Sequence, residues 1–101
     1  MVKQYVVEYL PAAMEDLDNI FNYIADADPE VAATLILEID QNVSHLERFP
    51  EMGVIPKITR LAKKGYRVLI VGDYLIFYVL LNNLIEIRRV FSGKMNYKKL
   101  L

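Results

Sequence analysis

The stretch RRVFSGKMNYKKLL, residues 88–101, carries five cations around a single glycine, Gly93. Ammonium and guanidinium groups at that density bind anions, a phosphate or a carboxylate. Lys94 follows Gly93, where the backbone can turn tightly and bring the ammonium to such a ligand. Arg67 is the one base inside the strand-like run YRVLIV. Other chemistries are poorly supplied. The chain has no Cys, which excludes disulfides, thiolate zinc sites and thiol nucleophiles together. His45, the single histidine, cannot make a metal site alone, and it falls off the apolar stripe of its helix, so it reads as exposed. No cofactor and no metal are implied.

Anion binding also follows from how charge is distributed. The 101 residues sum to a net charge of -1, yet residues 1–56 hold eleven acids against Lys3 and Arg48, and residues 57–101 hold ten bases against Asp73 and Glu86. A half near -9 followed by a half near +8 points to an anionic partner for the second half, nucleic acid or an acidic protein surface. That reading requires the ten cations to converge in space. The length fits one domain, residues 1–101, and 54% apolar residues without a run of eighteen predict a folded, soluble chain with no membrane span. MVKQYVVEYLP lacks the extended apolar centre of a signal peptide, so a cytoplasmic location is expected.

The elements that must position these cations are legible from periodicity. Residues 3–10, rich in Val and Tyr, predict a first strand. Pro11 suits a first helical turn, and Ala13, Leu17, Ile20, Phe21 and Ile24 make one apolar stripe. Asp28 and Pro29 predict the cap and first residue of a second helix, whose stripe is Ala32, Leu35, Ile36, Ile39, Val43 and Leu46. Residues 50–64 read as a loop. YRVLIV, YLIFYVLL and LIEIRRVF, separated by GD and NN, predict a three-stranded antiparallel meander. Alternation places Arg88 and Arg89 on opposite faces of the last strand. The result is an α+β fold: an N-terminal strand, an antiparallel helical hairpin and the meander, with the helices packed on one sheet face. The middle strand is apolar on both faces, so the second face must be closed by the C-terminal segment or by a partner.

HLERFPEMG in the middle, GDYLIFYV and NNLIEIRRVFSGKMNYKKLL at the end, and the opening LPAAMEDLDNIFNYI stand in an order that resembles the RelE/ParE superfamily of toxins from type II toxin–antitoxin systems. The resemblance covers nearly the whole chain. Leu10 departs from it, since the family more often places a capping Ser or Thr before the Pro. Membership implies a growth-arresting toxin of a plasmid-stabilisation module, held inactive in a hetero-oligomer by a cognate antitoxin. Ribosome-dependent members cleave mRNA with basic residues and often a terminal Tyr, whereas ParE-like members act on DNA gyrase.

The resemblance makes Arg89, which matches an arginine common in the superfamily, a site candidate beside Arg67 and Lys94. Tyr97 is the candidate for a terminal aromatic. In a cleaving member such residues would stabilise the charge built as a ribose 2′-hydroxyl attacks the adjacent phosphate. This chain departs from the cleaving pattern. Leu75 and Met95 stand where cleaving members commonly carry arginines, and YRVLIV is apolar where they carry lysines. The expectation is therefore a ParE-like toxin directed at gyrase. A ribosome-dependent endoribonuclease is the first alternative, and a non-toxic module that binds its partner and regulates its own promoter is the second.

Overall fold

The computed structural model describes residues 5–94 and 101. A short strand β1 (Val6–Tyr9) leads into the helices α1 (Pro11–Ala25) and α2 (Pro29–Ser44), and a tighter turn, His45–Glu47, ends the second. Then follow a short helix α3 (Thr59–Lys63) and the strands β2 (Tyr66–Val71), β3 (Tyr74–Leu81) and β4 (Leu84–Ser92). The strands lie in the order β1-β4-β3-β2. β1 runs parallel to β4, with Val7 beside Ile85 and Tyr9 beside Ile87, while the meander is antiparallel throughout. This is the expected α+β fold with its hairpin on one face of the sheet.

Local chemistry accounts for most boundaries. Leu10 gives α1 no side-chain cap. Asp28 does cap α2: its Oδ1 accepts from the N–H groups of Glu30 and Val31 at 3.1 and 3.2 Å. Asp28→Ala is expected to remove about 1 kcal/mol, seen as a lower urea midpoint with an unchanged slope. The GD and NN turns need left-handed backbone, which Gly72 (φ 57°) and Asn82 (φ 55°) supply.

Two cores result. On the helix face, Ala13, Ile39, Val43 and Leu46 meet Leu69, Ile76, Tyr78, Ile85 and Ile87. On the outer face, Leu61, Tyr66, Val68, Phe77, Val79 and Phe91 form a second cluster, with Ile58, Leu75 and Leu101 packed against it. Phe77 and Tyr78, adjacent in β3, are each buried on a different face. The wholly apolar middle strand is thus covered twice.

Two sequence expectations need correction. Residues 50–64 are not all loop: Val54 and Val68 exchange backbone hydrogen bonds at 2.8 Å, and α3 follows. Five residues carry too little periodicity to announce a helix; α3 is held by the fully buried Leu61 on the outer face. The first strand is also shorter than residues 3–10, since Leu10 already serves as the N-cap of α1. Lys3 and Gln4 lie outside the described residues. Among the described residues no helix is long and apolar enough to cross a membrane.

Candidate functional site

The arginines of β4 sit where its edge is left open. β1 covers β4 only as far as Ile87, whose carbonyl accepts from the Leu10 N–H at 2.9 Å. Beyond that point the Val90 N–H has no strand to pair with. Asp16, on α1, supplies the acceptor: its Oδ2 lies 2.9 Å from the Val90 nitrogen. The same carboxylate takes both Nε and Nη2 of Arg89, at 2.7 and 2.9 Å. These hydrogen bonds raise the pKa of Arg89 above the ordinary guanidinium value.

The expected opposition of Arg88 and Arg89 is overturned by a β-bulge. Tyr78 pairs with Ile87 but Phe77 pairs with Arg89, so Arg88 is the extra residue and alternation fails there. Both guanidiniums lean on rings of the outer cluster. The Arg88 Cζ lies 5.6 Å from the centroid of Tyr66, and the Arg89 Cζ lies 4.6 Å from that of Phe91. Arg88 is met by Glu86 at 3.0 Å.

Arg67 is elsewhere. It pairs with Tyr78, which places it on the helix face, away from Arg89. Its Nη1 donates to the carbonyls of Gly53 at 2.9 Å and Glu51 at 3.3 Å. The Tyr78 hydroxyl donates to the Pro50 carbonyl at 2.7 Å and accepts from the Gly53 N–H at 2.9 Å. Burial raises the pKa of this phenol, so it remains a donor through neutral pH. Lys94 is exposed in the turn after β4, beside Gly93, whose N–H bonds the Asp73 carbonyl at 2.7 Å. Tyr97 and Met95 lie outside the described residues. The three described candidates therefore occupy three separate places: the helix face, the outer face and the end of the sheet near Asp73.

Several further cations stand on elements that border the outer cluster. Arg88 and Arg89 of β4 lean on its rings, and α3, whose Leu61 is part of it, carries Arg60 and Lys63 and is followed by Lys64. Arg60 Nη1 donates to the Leu101 carbonyl at 2.7 Å, and Leu101 packs on the same cluster. Arg89 is neutralised by a leading-helix carboxylate and Arg88 by one from its own strand. Leu75 sits half-buried opposite Phe91, inside the aromatic cluster. His45 is exposed, as expected. Among the described residues, Tyr9, Tyr78, Arg88 and Arg89 have a displaced pKa, and each is raised. Such a surface can bind an anion.

Sequence reasoning missed Asp16 and Tyr78. Asp16 looked like one more solvent-facing acid among Glu15, Asp16 and Asp18. Tyr78 had a signal, since a hydroxyl in the doubly covered apolar strand must find a partner.

A helical hairpin packed on one face of a four-stranded mixed sheet is an architecture shared with solved structures. A chain of the chromosomal ParDE system of P. aeruginosa superposes with a TM-score of 0.74 at 20% identity, over 89% of this chain and 97% of that one. A chain of the RelBE2 toxin–antitoxin complex of Mycobacterium tuberculosis gives 0.60 at 21% identity, over 88% and 98%. No curated protein matches significantly by sequence. The family model for the ParE toxin of the type II toxin–antitoxin system parDE matches residues 7–97, and the chain belongs to this family.

Proposed function

We propose that this toxin arrests growth by acting on DNA gyrase in the cytoplasm, as part of a plasmid-stabilisation module, and that a cognate antitoxin neutralises it in a hetero-oligomer. The observation that carries the reading is Leu75, which packs into the cluster of Phe77 and Phe91 where an mRNA-cleaving relative would need a phosphate ligand. A leucine in an aromatic cluster offers no hydrogen bond to a phosphate. Arg89 is in addition committed to Asp16, and Arg67 to backbone carbonyls. Lys94, exposed at the sheet end, and the cations of the outer face, Arg89 among them, are the described groups proposed for contact with the target, and Tyr97 remains a candidate from the sequence.

The test is which macromolecular synthesis stops first after induction. DNA synthesis is expected to fall before protein synthesis, with a DNA-damage response, and the product of an adjacent small reading frame is expected to relieve the arrest. Protein synthesis falling first would instead favour the ribosome-dependent alternative. Growth unaffected by this chain alone would favour the non-toxic module.

A further inference from the structure

Residues 52–72 hold five cations, Lys57, Arg60, Lys63, Lys64 and Arg67, and no carboxylate. Arg67 is bound to loop carbonyls, but the other four are exposed. Helix geometry sorts the residues of α3 into two faces. Ile58, Leu61 and Ala62, spaced i, i+3, i+4, make the inner one: Leu61 is fully buried and Ile58 packs on the outer cluster. Arg60, Lys63 and Lys64 repeat that spacing on the opposite side, and Lys64, the C-cap, keeps right-handed helical backbone. Three cations therefore stand as neighbours on one exposed face. The backbone beneath them is fixed on both sides, by Leu61 before and by the buried Tyr66 after.

Among the described residues, Lys57, Lys63 and Lys64 form no ion pair. Arg60 is engaged in part, donating Nη1 to the Leu101 carbonyl at 2.7 Å, so the two lysines carry the argument. Like charges at these spacings repel, a cost that a bound anion relieves. The chemistry of the face distinguishes one kind of anionic partner from another. Protein interfaces form around buried apolar and aromatic anchors and are poor in lysine. Here no large apolar residue is exposed between residues 56 and 69. A nucleic-acid backbone asks for what is present, point charges on flexible stems with no apolar anchor. Bulk charge supplies no attraction, since the whole chain sums to -1, so binding has to come from a local face.

We infer that the cationic face of α3, Lys63 and Lys64 with Arg60, is a contact for the phosphate backbone of duplex DNA. The choice of duplex DNA among nucleic acids rests on the gyrase reading above, and the toxin then touches DNA beside its protein target. A helix of five residues is too short to lie along a groove and present several side chains to base edges, so the contact is independent of sequence.

The test measures binding of a labelled duplex of arbitrary sequence to the full-length protein over a series of salt concentrations, beside inhibition of plasmid supercoiling by purified gyrase. Wild type is expected to bind with an affinity that falls steeply with salt and is the same for unrelated sequences. The double variant Lys63→Ala, Lys64→Ala is expected to reduce the slope of log affinity against log salt by about 2, one for each lost phosphate contact. Its binding at low salt is expected to weaken about tenfold or more, with melting unchanged because both side chains are exposed. Lys63→Arg, Lys64→Arg keeps both charges and is expected to bind as wild type does. An unchanged slope in the alanine variant overturns the inference. Duplex binding unaltered in that variant while binding of poly-glutamate is lost would show that the face meets an acidic protein surface, and single-stranded RNA held more tightly than the duplex through the same lysines would assign it to RNA; each overturns the DNA assignment. Duplex binding through the two lysines with no inhibition of supercoiling supports the contact and overturns the gyrase reading alone. Inhibition of supercoiling by a protein that binds no duplex overturns the contact and leaves the gyrase reading in place.

Discussion

Leu61→Ala is expected to lower the stability of the fold by about 3 kcal/mol, the middle of the range for emptying a fully buried leucine site. Leu61 is completely buried. It is the buried residue of α3, a helix of five residues that cannot persist by its own hydrogen bonds. Its loss therefore does more than leave a cavity: it releases the cover over Tyr66, Val68, Phe77 and Phe91. A domain of this size loses roughly 4–8 °C per kcal/mol, so melting is expected to fall by about 15 °C. Exposure of the outer cluster should also appear as binding of a hydrophobic dye at temperatures where the wild type binds none. A variant that melts within about 2 °C of wild type would show that α3 does not anchor the outer face.

Asp16→Ala is expected to cost about 2 kcal/mol, because one carboxylate satisfies three donors at once. Its side chain is 13% exposed and that of Arg89 26%, so the pair is shielded enough to matter yet close enough to water to limit the penalty. After truncation the Arg89 guanidinium can turn outward, but the Val90 N–H stays at an edge with no strand beside it. Asp16→Asn should recover part of the loss, since an amide oxygen can still accept from Val90 while the ionic contact is gone. Urea unfolding of the three proteins checks this ordering, and equal stability of Asp16→Ala and wild type would remove the carboxylate from its proposed place in the fold.

How much of this was legible in sequence depended on the distance between partners. The two helices were marked by long apolar stripes, the α2 cap by Asp28 before Pro29, and the meander by its GD and NN turns, all features of neighbouring residues. The helix α3 was not, because TRLAK gains its helicity from one contact made across space. The bulge at Arg88 was equally silent, since RRV reads as ordinary strand until Phe77 and Tyr78 reveal the slipped register. The partner of Arg89 lies 73 residues away, and nothing in EDLD distinguishes Asp16 from its neighbours. The clamp beneath residues 49–55 joins Pro50 and Gly53 to a tyrosine 25 or more positions later. Composition announced a basic half but not its division: Arg67 turned to the helix face, Arg89 to the outer face, Lys94 to the sheet end.

That division underlies the proposal that this toxin binds gyrase and does not cleave mRNA. The most direct test adds the purified toxin to ribosomes translating a defined message and, in parallel, to gyrase acting on relaxed plasmid. The expected result is an intact message and blocked supercoiling. A message cut at the ribosome, with supercoiling unaffected, would contradict the account, since arginines bound to Asp16 and to loop carbonyls would then have to serve a scissile phosphate.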